Sequence, residues 1–545
     1  MLHSQFLLNQ RPGVASARDA KDWIRSLPLT DARAAHHALE TLIAEFEENG
    51  LEPHTRLEIL ETVRAQRVEI ETQYAQRYTG KSLPLGEAER GAYIHALSLW
   101  RRVEEAYWEC ALAALGRAPD LRPRLALCLA RAADLACERL KGASRAGQVP
   151  DGTAEAALVR YADLAREHGV LATPVPDSLH PKRFVSVASI HGRMLLYGLI
   201  GGTASGRERE CAYDLAALWE AKVLVTWLPA GLTRALTRAD LPPAVDPAKQ
   251  RIRIIHAGGA IHFADVTALS RSLRKRVHML GLGQHCSEVG LPPSFTHSGT
   301  SALLSRLHGA WCEEKYGRRH DRTSPPVIGS AHHKMEVAYG SSGNGTFDSM
   351  YCLFSGEPFL ANEETDMSSR RRADEMFIFQ GAGHARREHL MRTARRDVEE
   401  WQVLDVSETG TRLRRVAGVG RYKPGLLLAL KAAPGRDEPL RLAEARWIAE
   451  AGTTELEAGL ELLAASPRPA AVRLTGVNAA GAKAWVACFH VRAPQGVHQL
   501  FAPAGWFKPN RIVEMKEDGA VGKWLFVTLK RRGADYEMIE MRPAG

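Results

Sequence analysis

The sequence predicts a multidomain chain with three parts. They are an α-helical N-terminal region, an α/β or α+β middle region, and a C-terminal antiparallel β-barrel followed by further β-structure. Three observations carry this expectation. A length of 545 residues exceeds what one hydrophobic core organises. Apolar residues recur at helical spacing through residues 17–175. From about Trp401 onward, short runs of strand formers alternate with Gly and Pro turns. The expected divisions are 1–175, 176–365, 366–466 and 467–545.

In the first region, the run beginning at Asp31 carries apolar residues at helical spacing and stops at Asn49-Gly50. Thr55–Tyr78 follows, with Leu57, Ile59, Leu60, Val63, Val68 and Ile70 giving a broad apolar face. Gly91–Leu115 and Leu121–Arg145 repeat the pattern around Gly116-Arg-Ala-Pro119, and a last helix runs from about Gly152 to His168. Helical hairpins stacked as a bundle are expected. From about Pro174 the texture changes. Phe184–Ser189 and Met194–Ile200 read as strands or buried short elements, Tyr213–Val225 as a helix, and Arg251–His256 as a strand. Leu269–Leu280 reads as a helix with a basic, solvated face.

Composition bounds the function. Apolar residues make up 45% and charged residues 25% of the chain, the balance of soluble globular proteins rather than disordered ones. The net charge of +9 is spread and mixed with acids, unlike a nucleic-acid arm. Basic residues do not alternate with aromatics as in a stacking platform for single strands. Eight cysteines lie far apart without zinc spacing, which predicts thiols in a reducing compartment. No basic flank precedes a long apolar stretch at the N-terminus, and no run approaches the ~20 apolar residues of a membrane span. A cytoplasmic chain is expected, with no metal and no cofactor.

The stretch with the most chemistry is Trp401-Gln-Val-Leu-Asp405-Val-Ser407-Glu-Thr-Gly410. Trp401, Val403 and Val406 are strand formers, and Gly410 is expected to turn the backbone with positive φ. Asp405 and Ser407, two apart, share one face of a strand. Arg386, Arg387, Arg392, Arg395 and Arg396 stand just upstream. Guanidinium forks suit phosphate oxygens and the O6/N7 edge of guanine. Together these parts describe a pocket for a guanine nucleotide.

Asp405-x-Ser407-x-x-Gly410 resembles the (Asp/Asn)-x-Ser-x-x-Gly signature of PilZ domains, bacterial receptors for cyclic di-GMP, and Arg392-x-x-x-Arg396 resembles their companion Arg-x-x-x-Arg. Thr411–Val416, Leu426–Lys431, Glu444–Ile448 and Leu456–Leu462 then succeed one another as strands, similar to a PilZ barrel over residues 384–466. The resemblance implies cyclic di-GMP as ligand, with Arg392, Arg396, Asp405, Ser407 and Gly410 around it. It further implies an effector that couples the nucleotide to a protein partner through the N-terminal domains, in motility or biofilm control. Oligomeric state stays open.

One departure matters. In typical members a whole strand separates the arginine pair from the Asp, whereas only Asp397–Leu404 intervene here. Either Arg392 and Arg396 approach differently, or the lead-in is Arg370-Arg371-Arg372 or Arg386-Arg387, or the barrel is degenerate and serves as a scaffold. Catalysis by the middle region, through His332 and His333, has no supporting motif. Residues 467–545 either close the barrel or form a second β-domain.

Overall fold

A computed structural model describes residues 13–544 apart from some stretches. These are 201–205, 230–249, 314–333, 339–345, 360–397 except Glu388 and Arg392, 433–439, 452–454 and 476–484, with shorter gaps at 49, 151, 181–182, 293–294, 296–298, 358 and 494–495. The chain divides into two compact units. The first comprises Met1–Lys81 and Leu85–Arg318, the second Ser82–Pro84 and Arg319–Gly545.

The first unit begins with helices α1 (Ala17–Ile24), α2 (Ala32–Glu48), α3 (Pro53–Tyr78), α4 (Glu87–Leu115), α5 (Leu125–Arg145) and α6 (Thr153–Glu167). Antiparallel neighbours α3–α4, α4–α5 and α5–α6 pack in sequence, as expected of stacked hairpins. Small side chains set the closeness of that packing: Ala132, Ala133, Ala136 and Cys137 of α5 are fully buried. All eight cysteines are free thiols, seven of them buried.

A two-stranded ribbon, β1 (Val175–Pro176) with β2 (Phe184–Val185), leads into α7 (Val187–Gly198) and α8 (Gly206–Trp219). Of the two readings of Met194–Ile200, strand or buried short element, the structure shows the second, the end of helix α7. Val187 and Ser189–Tyr197 are all buried, so no solvent face imposes a 3.6-residue period. The expected helix at Tyr213–Val225 lies earlier: a single 3₁₀ turn, Glu220–Lys222, ends it before β3 (Leu224–Pro229). Strands β3, β5 (Ala260–Asp265) and β4 (Ile252–Ala257) form an antiparallel sheet in that order. Helices α9 (Thr267–Gly281) and α10 (Thr300–Cys312) complete the unit.

A closed ring of alternating charges ties these elements together. Arg64 of α3 reaches Asp177 at 2.8 Å; Asp177 meets Arg183 at 3.7 Å; Arg183 bonds Glu220 at 3.0 Å. Glu220 meets Arg193 of α7 at 3.2 Å, Arg193 bonds Asp134 of α5 at 2.5 Å, and Asp134 returns to Arg64 at 3.4 Å. Burial alone would raise the Asp134 carboxyl. The Arg193 and Arg64 guanidiniums outweigh it and hold Asp134 well below the usual carboxylate range. A cleft of about 910 Å³ borders the ring, and its guanidiniums Arg64, Arg67, Arg145, Arg183 and Arg193 are each bonded to a carboxylate.

The second unit contains two closed six-stranded antiparallel barrels. The first uses β6 (Lys334–Ala338), β7 (Val398–Ser407), β8 (Gly410–Ala417), β9 (Leu427–Ala432), β10 (Arg441–Ala451) and β11 (Glu455–Ala465). Its order around the wall is β6-β7-β8-β11-β10-β9. Five of these strands sit where the sequence placed them; β6 lies ahead of the 384–466 stretch. Ser82–Pro84 joins this unit because Leu83 exchanges both backbone hydrogen bonds with Tyr422, at 2.6 and 2.7 Å.

The tail forms a second closed barrel from β12 (Arg468–Leu474), β13 (Val486–Arg492), β14 (His498–Pro503), β15 (Ile512–Glu517), β16 (Ala520–Arg532) and β17 (Tyr536–Pro543). The two barrels share one apolar core: Leu427, Ala429 and Leu442 of the first pack with Ala487, Phe489, Val491, Phe501 and Tyr536 of the second. Phe347 and Met350 of helix α11 (Thr346–Ser355) join them. At the rim of this core, Asp535 accepts a hydrogen bond from the Leu427 amide at 3.0 Å. Burial pushes its carboxyl up to about 6, against that bond.

Two outcomes follow for stability. Asp134→Ala leaves Arg64 and Arg193 buried with a partner missing, and denaturant unfolding should show a loss of about 3–5 kcal/mol in the first unit. A folded-state pKa below the unfolded one stabilises above the ordinary Asp range, near ~3.9, and that stability is lost as pH falls through the folded value. Asp134→Ala should therefore remove part of the wild type's acid sensitivity. Asp535 has the opposite sign. Its raised folded pKa means the native state binds more protons, so stability falls as pH rises from ~4 to about 6. Asp535→Asn keeps an acceptor for Leu427. It should unfold at the same midpoint at pH 7 and pH 5, where the wild type gains on acidification.

Candidate functional site

Along β8 and β11, alternation sorts the side chains into two faces. Thr411, Leu413, Leu456, Ala458 and Leu460 are buried inside the barrel. Gly410, Arg412 and Arg414 therefore lie on the outer face, paired across the ladder with Glu461, Gly459 and Glu457. Strand β7 adds Asp405 opposite Arg412 and Ser407 opposite Gly410, after a bulge that follows Val403. Asp405, Ser407 and Gly410 thus stand together on one hairpin, as expected from their spacing. Trp401, the aromatic that anchors this stretch, is buried edge-to-face against Tyr422, with centroids 5.4 Å apart.

Gly410 is needed for a reason different from the expected one. Its φ is not positive; instead, a Cβ there would stand 2.5 Å from the Leu460 carbonyl oxygen. The strands β8 and β11 approach too closely at this point for any side chain. The Ser407 hydroxyl donates to the Gly410 carbonyl at 3.2 Å and closes the two-residue turn. The Thr411 hydroxyl donates to the Asp405 carbonyl at 3.1 Å, which fixes the strand just where Asp405 faces outward.

Two arginines on this face were not singled out by sequence reasoning. Arg412 and Arg414 both bond Glu457, at 2.5 and 2.7 Å, and each remains about 40% exposed. Arg412 also stands 3.9 Å from Asp405. Burial would raise the Glu457 carboxyl, yet the hydrogen bonds from Arg412 and Arg414 lower it. Glu457 stays ionised and holds both guanidiniums in fixed orientation. The readable signal was Arg-x-Arg directly after the hairpin, which puts both cations on the face of Asp405.

An aromatic plate completes the surface. Trp447 of β10 lies across Gly459, where a Cβ would come within 2.0 Å of the indole nitrogen, and Arg412 sits 6.0 Å from the ring centroid. Beyond it, Arg446 bonds Glu444 at 2.6 Å and meets Glu461 at 3.3 Å. The outer face therefore offers acceptors (Asp405, Ser407), fork donors (Arg412, Arg414, Arg446) and a flat ring.

Arg392 is exposed, its guanidinium 3.4 Å from the Glu388 carbonyl. Arg396, Arg370–Arg372, Arg386, Arg387, His332 and His333 lie outside the described residues. Among the described residues, no three His, Cys, Asp or Glu side chains are placed to hold a metal ion, and no helix is long and apolar enough to cross a membrane.

Gly410→Ala should cost the second unit about 1–3 kcal/mol, because the added methyl meets backbone rather than a flexible side chain. Denaturant unfolding followed by near-UV circular dichroism reads it; an unchanged midpoint would contradict the close approach.

Neither the curated proteins nor the solved structures contain a match to this chain. Residues 18–230 match the family model described as cyclic-di-GMP receptor FimW, N-terminal domain, so over its helical first unit the chain is similar to this receptor family.

Proposed function

We propose that this protein is a cyclic di-GMP-binding effector whose ligand lies on the outer face of the first barrel. The observation that carries the reading is the β7–β8 hairpin, which sets Asp405 and Ser407 beside the oriented pair Arg412 and Arg414. The match of residues 18–230 to a cyclic-di-GMP receptor's N-terminal domain supports it from an independent part of the chain.

Asp405 accepts from guanine N–H groups, Ser407 bonds the adjoining phosphate or base, and Gly410 lets the ligand approach the backbone. Arg412 and Arg414 donate to phosphate or to guanine O6/N7, and Trp447 stacks on a purine. For the companion arginines, strand order favours a pair not weighed from sequence. Strand β6 now stands in chain order between Arg318-Arg-His-Asp-Arg322 and the strand that carries Asp405. This supplies the full intervening strand that Arg392 and Arg396 lack. The positions of Arg318–Arg322 lie outside the described residues, and chain order is what supports them.

The receptor resemblance supports a non-catalytic role, with nucleotide binding coupled to a protein partner through the helical unit in motility or biofilm control. Titration calorimetry of the full chain with cyclic di-GMP, using GTP and cyclic di-AMP as controls, tests the reading. Guanine-specific saturation, lost in Ser407→Ala and in Arg318→Ala/Arg322→Ala and retained in Arg392→Ala/Arg396→Ala, is the expected result. No heat from folded wild-type protein would leave the first barrel a scaffold, and loss only in the Arg392/Arg396 variant would return the grip to that pair.

A further inference from the structure

The two barrels are built alike. The first runs β6-β7-β8-β11-β10-β9 around its wall and the second β12-β13-β14-β17-β16-β15, the same order displaced by six strands. In both, two hairpin-joined strands and their predecessor are followed by three strands that return in reverse order. The hairpin β13–β14 therefore holds the place of β7–β8. Ala493 donates its amide to the Val497 carbonyl at 2.8 Å and closes that hairpin, as Ser407 and Gly410 close the other. Counting back from the turn, Val491 and Ala493 stand where the first barrel has Asp405 and Ser407.

The face has changed with the residues. In the first barrel the outer surface of β7, β8 and β11 carries acids, arginines and Ser407. In the second, the corresponding surface of β13, β14 and β17 presents Ala487, Phe489, Val491, Phe501 and Tyr536, buried in the core shared with the first barrel. Gln499 and Glu540 pair beside Val491 on this face, but with Phe489, Val491, Phe501 and Tyr536 packed into the shared core the face is closed to a nucleotide.

The packing brings one cation of the second barrel onto the first. Arg531 of β16 bonds Glu461 at 3.0 Å and meets Glu444 at 3.5 Å, while Tyr536 donates to Glu444 at 2.5 Å. Glu461 is the ladder partner of Gly410, and Gly410 is the partner of Ser407. Two strand spacings, about 10 Å, thus separate Ser407 from the residue that holds Arg531. A ligand with two purine bases spans that distance. Arg531 has five N–H donors, and these two carboxylate contacts occupy two of them.

We propose that the second barrel is a copy of the first whose ligand face has become a docking face, and that it contributes Arg531 to the cyclic di-GMP site of the first barrel. This rests on the reading of the first barrel as the nucleotide barrel. Arg531 donates to a phosphate or to the guanine edge at the side of the face away from Asp405, and Glu461 pre-orients it. The second barrel binds no nucleotide by itself.

Titration of the full chain with cyclic di-GMP, beside thermal unfolding of each variant, tests this. Arg531→Ala should weaken binding about tenfold or more, one charge-assisted fork being worth that much. Arg531→Lys, which keeps the cation but not the fork, should recover only part of the loss. Glu461→Gln removes the carboxylate that pre-orients Arg531 and should lower affinity by a smaller factor than Arg531→Ala. Val491→Lys, a charge forced into the docking face, should lower the unfolding midpoint while Val513→Ala, inside the second barrel, should do so without altering nucleotide stoichiometry. Wild-type affinity in folded Arg531→Ala and Arg531→Lys, with binding still lost in Ser407→Ala, overturns this proposal and leaves the receptor reading intact. Absence of binding in the wild type overturns the receptor reading itself.

Discussion

Pairing of β8 with β11 is the constraint from which the candidate surface follows. Gly410 sits so close to the Leu460 carbonyl that only a glycine fits, and this contact fixes the register of every pair beyond it. Given that register, Arg412 and Arg414 converge on Glu457, Trp447 drops across Gly459, and Glu461 comes beside the hairpin. A one-residue slip would turn all of these inward and put Leu413 and Leu460 in water. The outer face is therefore pre-organised by backbone geometry, and its charges need little rearrangement to meet a ligand.

A second device, in the other unit, is the closed ring of three arginines and three carboxylates. Its six members come from five elements, so the ring forms only when α3, α5, α7, the β1–β2 loop and the turn after α8 are all in place. Such a network adds little net stability over apolar packing, but a missing member leaves a buried charge uncompensated. All six residues fall inside the stretch matched by the receptor family model.

Legibility in the sequence tracked solvent contrast. Helices α3, α4 and α6 keep exposed positions at helical spacing, so their periods show. Helix α7 is buried all round and has no period to read. Strand β6 is five residues long and separated from β7 by more than fifty, so nothing local marks it as the barrel's first strand. The hairpin residues Asp405 and Ser407 were readable because two-residue spacing fixes a shared face, but the role of Gly410 was not, since the Leu460 carbonyl comes from fifty residues away. Likeness of the two barrels was invisible for a related reason: Val491 and Ala493 replaced the residues that would have announced it, while the strand order persisted.

Hydrogen exchange on the full chain, with and without saturating cyclic di-GMP, tests the central claim most directly. Slowed exchange concentrated in residues 402–412 and 455–461, the two sides of the outer face, is what this account predicts. Protection confined to residues 13–318, with those two segments unchanged while nucleotide is bound, would place the ligand elsewhere and contradict it.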